Sequence, residues 1–552
     1  MPRKLRKTDH RQPALASADT TAAAPAPRTL WIISPAWDAV LFIGAPAVSI
    51  AALYPWRTLW APEQYAAFLL AFLTFGHHLP GFLRAYGDRE LFARYRWRFI
   101  LAPPLVFLAA LAFSRRGLHG LLLLTFTWDI WHVLMQHYGF MRIYDAKRGE
   151  FSPLTARLDM VFSLSAYVAL IVASPHYRGN LLYLAYQSGV PLLTGQLYGL
   201  LETAIFTLAA VSGAAYIAYH AYLWKQGRLN PLKIATLALF LVATYYLYIH
   251  TSDFAVGFAV WSGFHCLQYY GIVWVYNRSV VAKGGAAAKF VRFLFRPSAA
   301  MVALYASLIL LYGGIDFARR YVAGETVTAV LLAFVATSAF LHYYYDGFIW
   351  KVREKGTRAN LGIETARAAA GEGLLTSARS AWAWLQRLRP NYQRGLFQAG
   401  YLGCALAVLG ALELYRPHDD LSMNQALSNV AADSDVAQIR LGESLRARGE
   451  NEQATQAYRA ALRANPSSAQ ARVMLGLMLF SEGKLSEAAT YYEEALQADP
   501  NIAEAHFNLA AILESRGEIP AATEHFAAAA RSDDEQVRRP ALDALSRLRA
   551  KP

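Results

Sequence analysis

Apolar residues run in long, nearly unbroken blocks through the first three quarters of this chain and give way to a shorter alternation near its C-terminus. Blocks long enough to cross about 30 Å of hydrocarbon fall at 35–54, 64–83, 99–114, 117–140, 158–175, 196–224, 233–250, 253–276, 298–315, 325–350 and 397–415. The pattern predicts about eleven transmembrane helices. The stretch 179–194 is too short to span and is broken by Gly189 and Pro191, so it reads as interfacial or re-entrant. A span there would invert all later topology.

From about 435 the alternation recurs every 34 residues, a period diagnostic of stacked helical repeats. Leu441, Leu475 and Leu509 align, as do Gly449, Gly483 and Gly517; Ala454, Ala488 and Ala522; Tyr458, Tyr492 and Phe526; and Ala461, Ala495 and Ala529. Gly442 and Gly476 align with Ala510, and Pro466 with Pro500. These positions resemble the tetratricopeptide repeat over 435–536, with Asp534 standing where the third unit would close on Pro. The resemblance implies a concave surface that binds a protein or peptide partner, and no chemistry of its own. The fold class expected is all-α, a polytopic membrane bundle followed by an α-solenoid.

Composition agrees. The chain of 552 residues is 55% hydrophobic and 17% charged, where soluble domains carry about a quarter. Two differently charged bodies share it: an excess of twenty positive charges through residue 416 precedes an excess of six negative ones. The expected domains are a basic cytoplasmic tail at 1–30, a membrane domain at 31–350, a cytoplasmic or interfacial amphipathic segment at 351–396 and a last membrane helix at 397–416. A linker at 417–434, three repeats at 435–536 and a capping helix and tail at 537–552 complete the chain. Leu374, Trp382, Trp384, Leu385 and Leu388 carry the amphipathic segment. With the N-terminus inside, the inner connections hold thirty-two Lys and Arg against seven outside. The positive-inside rule then predicts a bacterial-type inner-membrane protein with its repeats on the periplasmic or external face. The positive charge is explained by topology and leaves no basic domain for nucleic acid.

Histidines carry the candidate chemistry. The segments FGHHLPGFLRAY, WDIWHVLMQHYGFMRIYD, FHCLQYYGIVWVYNR and LHYYYDGFIWKVR each bring His to within seven residues of a Gly (81, 139, 271 and 347) that precedes a basic boundary. At 1.5 Å rise per residue, His77, His78, His132, His137, His265 and His342, with Asp346, fall into one layer near the cytoplasmic face. His137 is about 140° around the helix from His132, so those two do not share one ion. Neutral imidazoles and a carboxylate on facing helices are donors for a divalent ion. Cys266 and Cys404 lie in apolar runs and supply no thiolate site. One or two transition-metal ions are therefore expected, iron favoured, with an axial histidine pair on haem b as the lesser alternative. Asp129, Gln136, Gln268 and Tyr269 are expected to orient the ligands. Arg84, Arg142, Arg278 and Lys351 follow the same helices at headgroup level, where a ring of cations would contact lipid headgroups or an anion.

In broad layout this resembles the histidine-rich membrane di-iron oxygenases and desaturases, although their spaced histidine boxes are not reproduced. The resemblance implies a metal-dependent lipid oxidoreductase. A non-enzymatic, membrane-anchored repeat scaffold is the alternative. A lipid-linked glycosyltransferase ranks third, because the first outer loop, PWRTLWAPE, offers only Glu63 as an acid.

Overall fold

A computed structural model describes residues 30–350 and 419–550 apart from short breaks at 61, 115–117, 252–253, 286, 323 and 533, together with 355–361, 363 and scattered residues of 400–414. The expected tail, Lys351, most of the amphipathic segment and much of the last expected span lie outside the described residues. Every regular element described is helical; the one β-bridge pairs Asp88 with Ala287.

The chain enters through α1 (Pro35–Asp38) and α2 (Ala45–Leu53), separated by a π turn at Ala39–Ile43. Asp38 is buried and accepts the amides of Ile32 and Ile33 and the hydroxyl of Tyr144. Next come α3 (Pro62–Leu69), a π turn at Leu70–Phe75, α4 (His78–Gly87), α5 (Arg89–Phe113), α6 (His119–Arg148) and α7 (Pro153–Ala173). The short α8 (Pro175–Gln187) leads to α9 (Gly195–Lys225), α10 (Pro231–Tyr245), α11 (Phe254–Ala282) and α12 (Lys289–Leu294). Then follow α13 (Ala299–Arg319), α14 (Glu325–Ile349) and α15 (Lys355–Asn360). Pro at the first helical turn of α7, α8 and α10 is where a missing N–H costs nothing.

Among the described residues, seven helical segments are long and apolar enough to cross a membrane, or eight if the bent pair 35–57 counts as one span. The expected count of eleven is not supported. The fourth and eighth expected spans are α6 and α11, 30 and 29 residues long, which fall outside that set. Both bear candidate histidines, and their polar rings and amides lower their apolarity. The expected interfacial stretch 179–194 is largely the C-terminal part of α8.

Beyond the gap, the expected linker 417–434 is instead mostly helix: α16 (Asp420–Val430), capped by Asp419. Three helix pairs follow: α17 (Asp435–Ala447) with α18 (Asn451–Ala464), α19 (Ala469–Ser481) with α20 (Leu485–Ala498), and α21 (Ala503–Ser515) with α22 (Ile519–Ala529). The last helix, α23 (Glu535–Ala550), covers the third pair. Gly449, Gly483 and Gly517 end the first helix of each pair at φ of +78°, +75° and +79°, a conformation that favours glycine. A Cβ on Gly442 or Gly476 would enter the ring of Tyr458 or Tyr492, which explains the small residue at that position.

The repeats pack on the N-terminal helical body through α8. Tyr186, Met423, Leu427, Ala431 and Ala437 form one buried apolar cluster. Around it Arg178 pairs with Asp433, His176 Nδ1 lies 3.4 Å from Asp435, and Arg440 stacks 3.6 Å over Tyr183.

Candidate metal centre

The π turn at Leu70–Phe75 widens the helix immediately before His77 and His78; such turns recur at functional sites. Beyond it, α4 passes so close to α11 and α14 that a Cβ on Gly81 would lie 2.6 Å from the Tyr269 hydroxyl and 3.4 Å from His342 Nδ1. Only glycine permits this approach.

His77, His132, His265 and His342 offer one ligand nitrogen each, all within 4.8 Å of one another and all buried. His77 Nε2 is 2.9 Å from His342 Nε2 and 3.2 Å from His265 Nε2. His77 Nδ1 faces the carbonyl of Thr74. That partner holds the proton on Nδ1 and leaves the Nε2 lone pair aimed at the cluster centre, as in metal-binding histidines generally. His132 Nε2 is buried without a hydrogen-bond partner among the described residues, and an unpaired buried polar atom costs about 1–3 kcal/mol. Four converging neutral donors with an orphaned nitrogen are what a metal ion would satisfy. The four histidines could hold one.

Asp346 joins this group from the side. Its Oδ2 is 3.7 Å from His132 Nε2 and 3.9 Å from His342 Nε2, and its Oδ1 accepts the Tyr269 hydroxyl at 2.8 Å. Trp350 Nε1 donates in turn to Tyr269 at 3.3 Å.

The other expected ligands lie apart. His78 points about 100° away from His77 and bonds Ser338 Oγ through Nδ1 at 2.9 Å. Its ring stacks on His342 at 4.7 Å, but it is outside the four-histidine group. His137 stacks on Phe240 at 4.3 Å, away from the cluster, consistent with its expected rotation from His132. Helices α6 and α11 continue well past Gly139 and Gly271, so the glycines do not mark their ends and His132 and His265 lie in their middle parts.

Two of the expected orienting residues, Gln136 and Gln268, reach backbone carbonyls. Gln136 Nε2 donates to the carbonyl of His265 at 3.0 Å and to Gln268 Oε1 at 3.2 Å, and Gln268 Nε2 donates to the carbonyl of Phe42 at 2.7 Å. They pin α11 at His265. Asp129 accepts the Tyr343 hydroxyl at 3.1 Å, behind His132.

The expected cation ring is not assembled. Arg84 is buried, sandwiched between Tyr276 and Trp350, and donates to the carbonyl of Ile349 at 2.7 Å. Arg142 turns inward to Asp145 at 2.8 Å and Asp159 at 3.1 Å. Of the three described members, only Arg278 is exposed, on the wall of an apolar groove, and Lys351 lies outside the described residues. Lys233, buried and 3.2–3.3 Å from Asp159 and Asp145, completes a neutral network with Arg142. Sequence reading missed this network. Its signal was Asp159 and Lys233, each within an apolar run, where an isolated charge demands a partner.

Beside the centre lies a cavity of about 330 Å³, with His132, Asp346, Tyr269 and Gln136 on one wall and Trp128, Trp131, Met135 and Ile272 among its apolar lining.

With this geometry in place, comparison with known proteins adds one finding. Residues 439–501 and 482–536 match the tetratricopeptide repeat family. The C-terminal region is a tetratricopeptide-repeat region. Such repeats generally mediate protein–protein interaction, which supports a protein partner for the chain. No curated protein matches it.

Proposed function

We propose that the protein is an integral membrane oxidoreductase in which His77, His132, His265 and His342 hold one transition-metal ion, iron favoured. Its substrate class is an apolar, lipid-like molecule. The observation that carries this reading is the convergence of four buried imidazoles, with Asp346 alongside, on the wall of an apolar cavity. Imidazole with a carboxylate suits iron, and the one group of four found among the described residues suits a single ion.

When bound, the ion would activate dioxygen as oxidant and polarise the reacting group. The chain's own residues account for the rest. Thr74 fixes the tautomer of His77, Asp346 balances charge beside His132 and His342, and the aromatic lining excludes water from an apolar substrate.

Membrane insertion is supported by the seven apolar segments and by large aliphatic residues left exposed, such as Leu200 at 70% and Leu311 at 72%. We place the N-terminus in the cytoplasm. The repeats would lie on the opposite face, because they pack on α8, which the charge count puts outside. A second reading, a membrane-anchored repeat scaffold, is favoured by that same packing.

The test is metal analysis of the detergent-purified protein beside a triple variant, His132→Ala, His265→Ala and His342→Ala, together with lipid profiling of cells expressing each. One equivalent of metal, lost in the triple variant along with a new oxidised lipid, is expected. Metal-free protein that is folded and inserted would overturn the enzyme reading in favour of the scaffold.

A further inference from the structure

A second pair of histidines lies far from the buried centre, in the third repeat. His506 is on α21 and His525 on α22, and their Nδ1 atoms are 2.8 Å apart. Both side chains are half-buried, so water reaches their neighbourhood. The adjacent Phe507 and Phe526 rings pack edge to face at 5.6 Å and hold the two helices in register.

His506 Nε2 lies 3.0 Å from the carbonyl of Pro500. A carbonyl only accepts, so the proton of neutral His506 resides on Nε2 and its Nδ1 presents a lone pair to His525. A carbonyl behind one ring nitrogen is the arrangement that orients metal-binding imidazoles. With the proton of His525 moved from Nδ1 to Nε2, at the cost of its hydrogen bond to His506, both Nδ1 atoms would offer a lone pair to an ion held between the two rings.

The separation selects the geometry. Metal–nitrogen bonds of about 2.0–2.1 Å across 2.8 Å subtend roughly 85–90° at the ion. Tetrahedral coordination at the same bond lengths would hold the nitrogens about 3.3 Å apart. A right angle between neighbouring nitrogens is the tetragonal arrangement of Cu²⁺ and Ni²⁺. Glu493 and Glu524 bear electrostatically on His525 and favour a cation there.

We propose that His506 and His525 form a surface site for Cu²⁺ or Ni²⁺ on the third repeat, with water completing the coordination. Burial, and then the facing His506, hold His525 below the ordinary histidine range. The site joins the two helices of one repeat, and a bound ion would stiffen that unit.

The test uses the full chain in detergent, titrated with Cu²⁺ and followed by electron paramagnetic resonance and equilibrium binding. The expected signal is tetragonal, with hyperfine coupling to two imidazole nitrogens. It should persist in the His132→Ala, His265→Ala, His342→Ala variant, which separates it from the buried centre. His506→Gln and His525→Gln should each weaken binding at least tenfold while thermal unfolding confirms an intact repeat region. Unchanged copper binding in both Gln variants would overturn the proposal. So would a parent spectrum without imidazole coupling, a result that depends on no variant.

Discussion

His77 Nε2 and His342 Nε2 lie 2.9 Å apart although 265 residues separate them in the chain. The π turn before His77 and the close passage of α4 at Gly81 bring them together. If this pair is half of a metal site, His342→Ala should abolish metal retention while His78→Ala keeps it. His78 has its own partner in Ser338 and reaches the centre only by ring stacking. Metal content of the two purified variants decides the matter, and equal loss in both would contradict the four-histidine assignment.

Asp346 is expected to tune the centre without being one of its four imidazole donors. Asp346→Asn preserves shape and removes charge, and should lower metal affinity about 10–100-fold, the usual cost of losing an outer partner. Competition with a chelator of known affinity would measure it. Affinity equal to the parent's would place Asp346 in a purely structural role with Tyr269.

His137 makes the opposite prediction. Both its ring nitrogens are buried without a hydrogen-bond partner among the described residues, and its ring stacks on Phe240. His137→Phe should leave metal content unchanged and raise stability by about 1–3 kcal/mol, since an unpaired buried polar group costs that much. A fall in the thermal midpoint would show that His137 has a partner that matters.

In the repeats, Gly476→Val should destabilise the region by about 1–3 kcal/mol, the range for overpacking, because the new side chain must displace the Tyr492 ring. Denaturant unfolding followed by tyrosine fluorescence reads this. An unchanged midpoint would mean that α19 and α20 separate at little cost.

The junction between body and repeats should weaken in acid. Burial alone would raise Asp435, but hydrogen bonds from His176, Asn465 and Ser468 outweigh it and hold the carboxyl below its ordinary value of 3.8. A depressed carboxylate stabilises fully above its unfolded value and loses that contribution as pH falls through the folded one. Cleavage by an acid-active protease between 417 and 434 should therefore rise below about pH 4 in the parent, and be insensitive to this step in Asp435→Asn. The same pH response in both proteins would remove Asp435 from the junction's energetics.

The helices, the repeats and the histidines set in apolar runs were legible because each is local. A block of apolar residues, a 34-residue period or a polar ring in an apolar run is written in neighbouring positions. The eleven expected spans are not supported because α6 and α11, though long enough, carry polar rings and amides that take them out of the apolar set, and much of the last expected span lies outside the described residues. The glycines after the histidines read as a boundary, yet Gly81 marks a close approach between helices instead.

What the sequence by itself determined is an all-helical chain with a repeat region, rich in buried histidine. Only tertiary structure decided that four of the six candidate histidines converge, that Arg84 and Arg142 turn inward to partners, and that α8 receives the repeats. The physical reason is directional. Spacing along a helix sets the depth and relative angle of its side chains, but not which neighbour stands opposite. A ligand set requires lone pairs from different helices to meet at one point, and that depends on how far each helix is rotated and how closely it is approached.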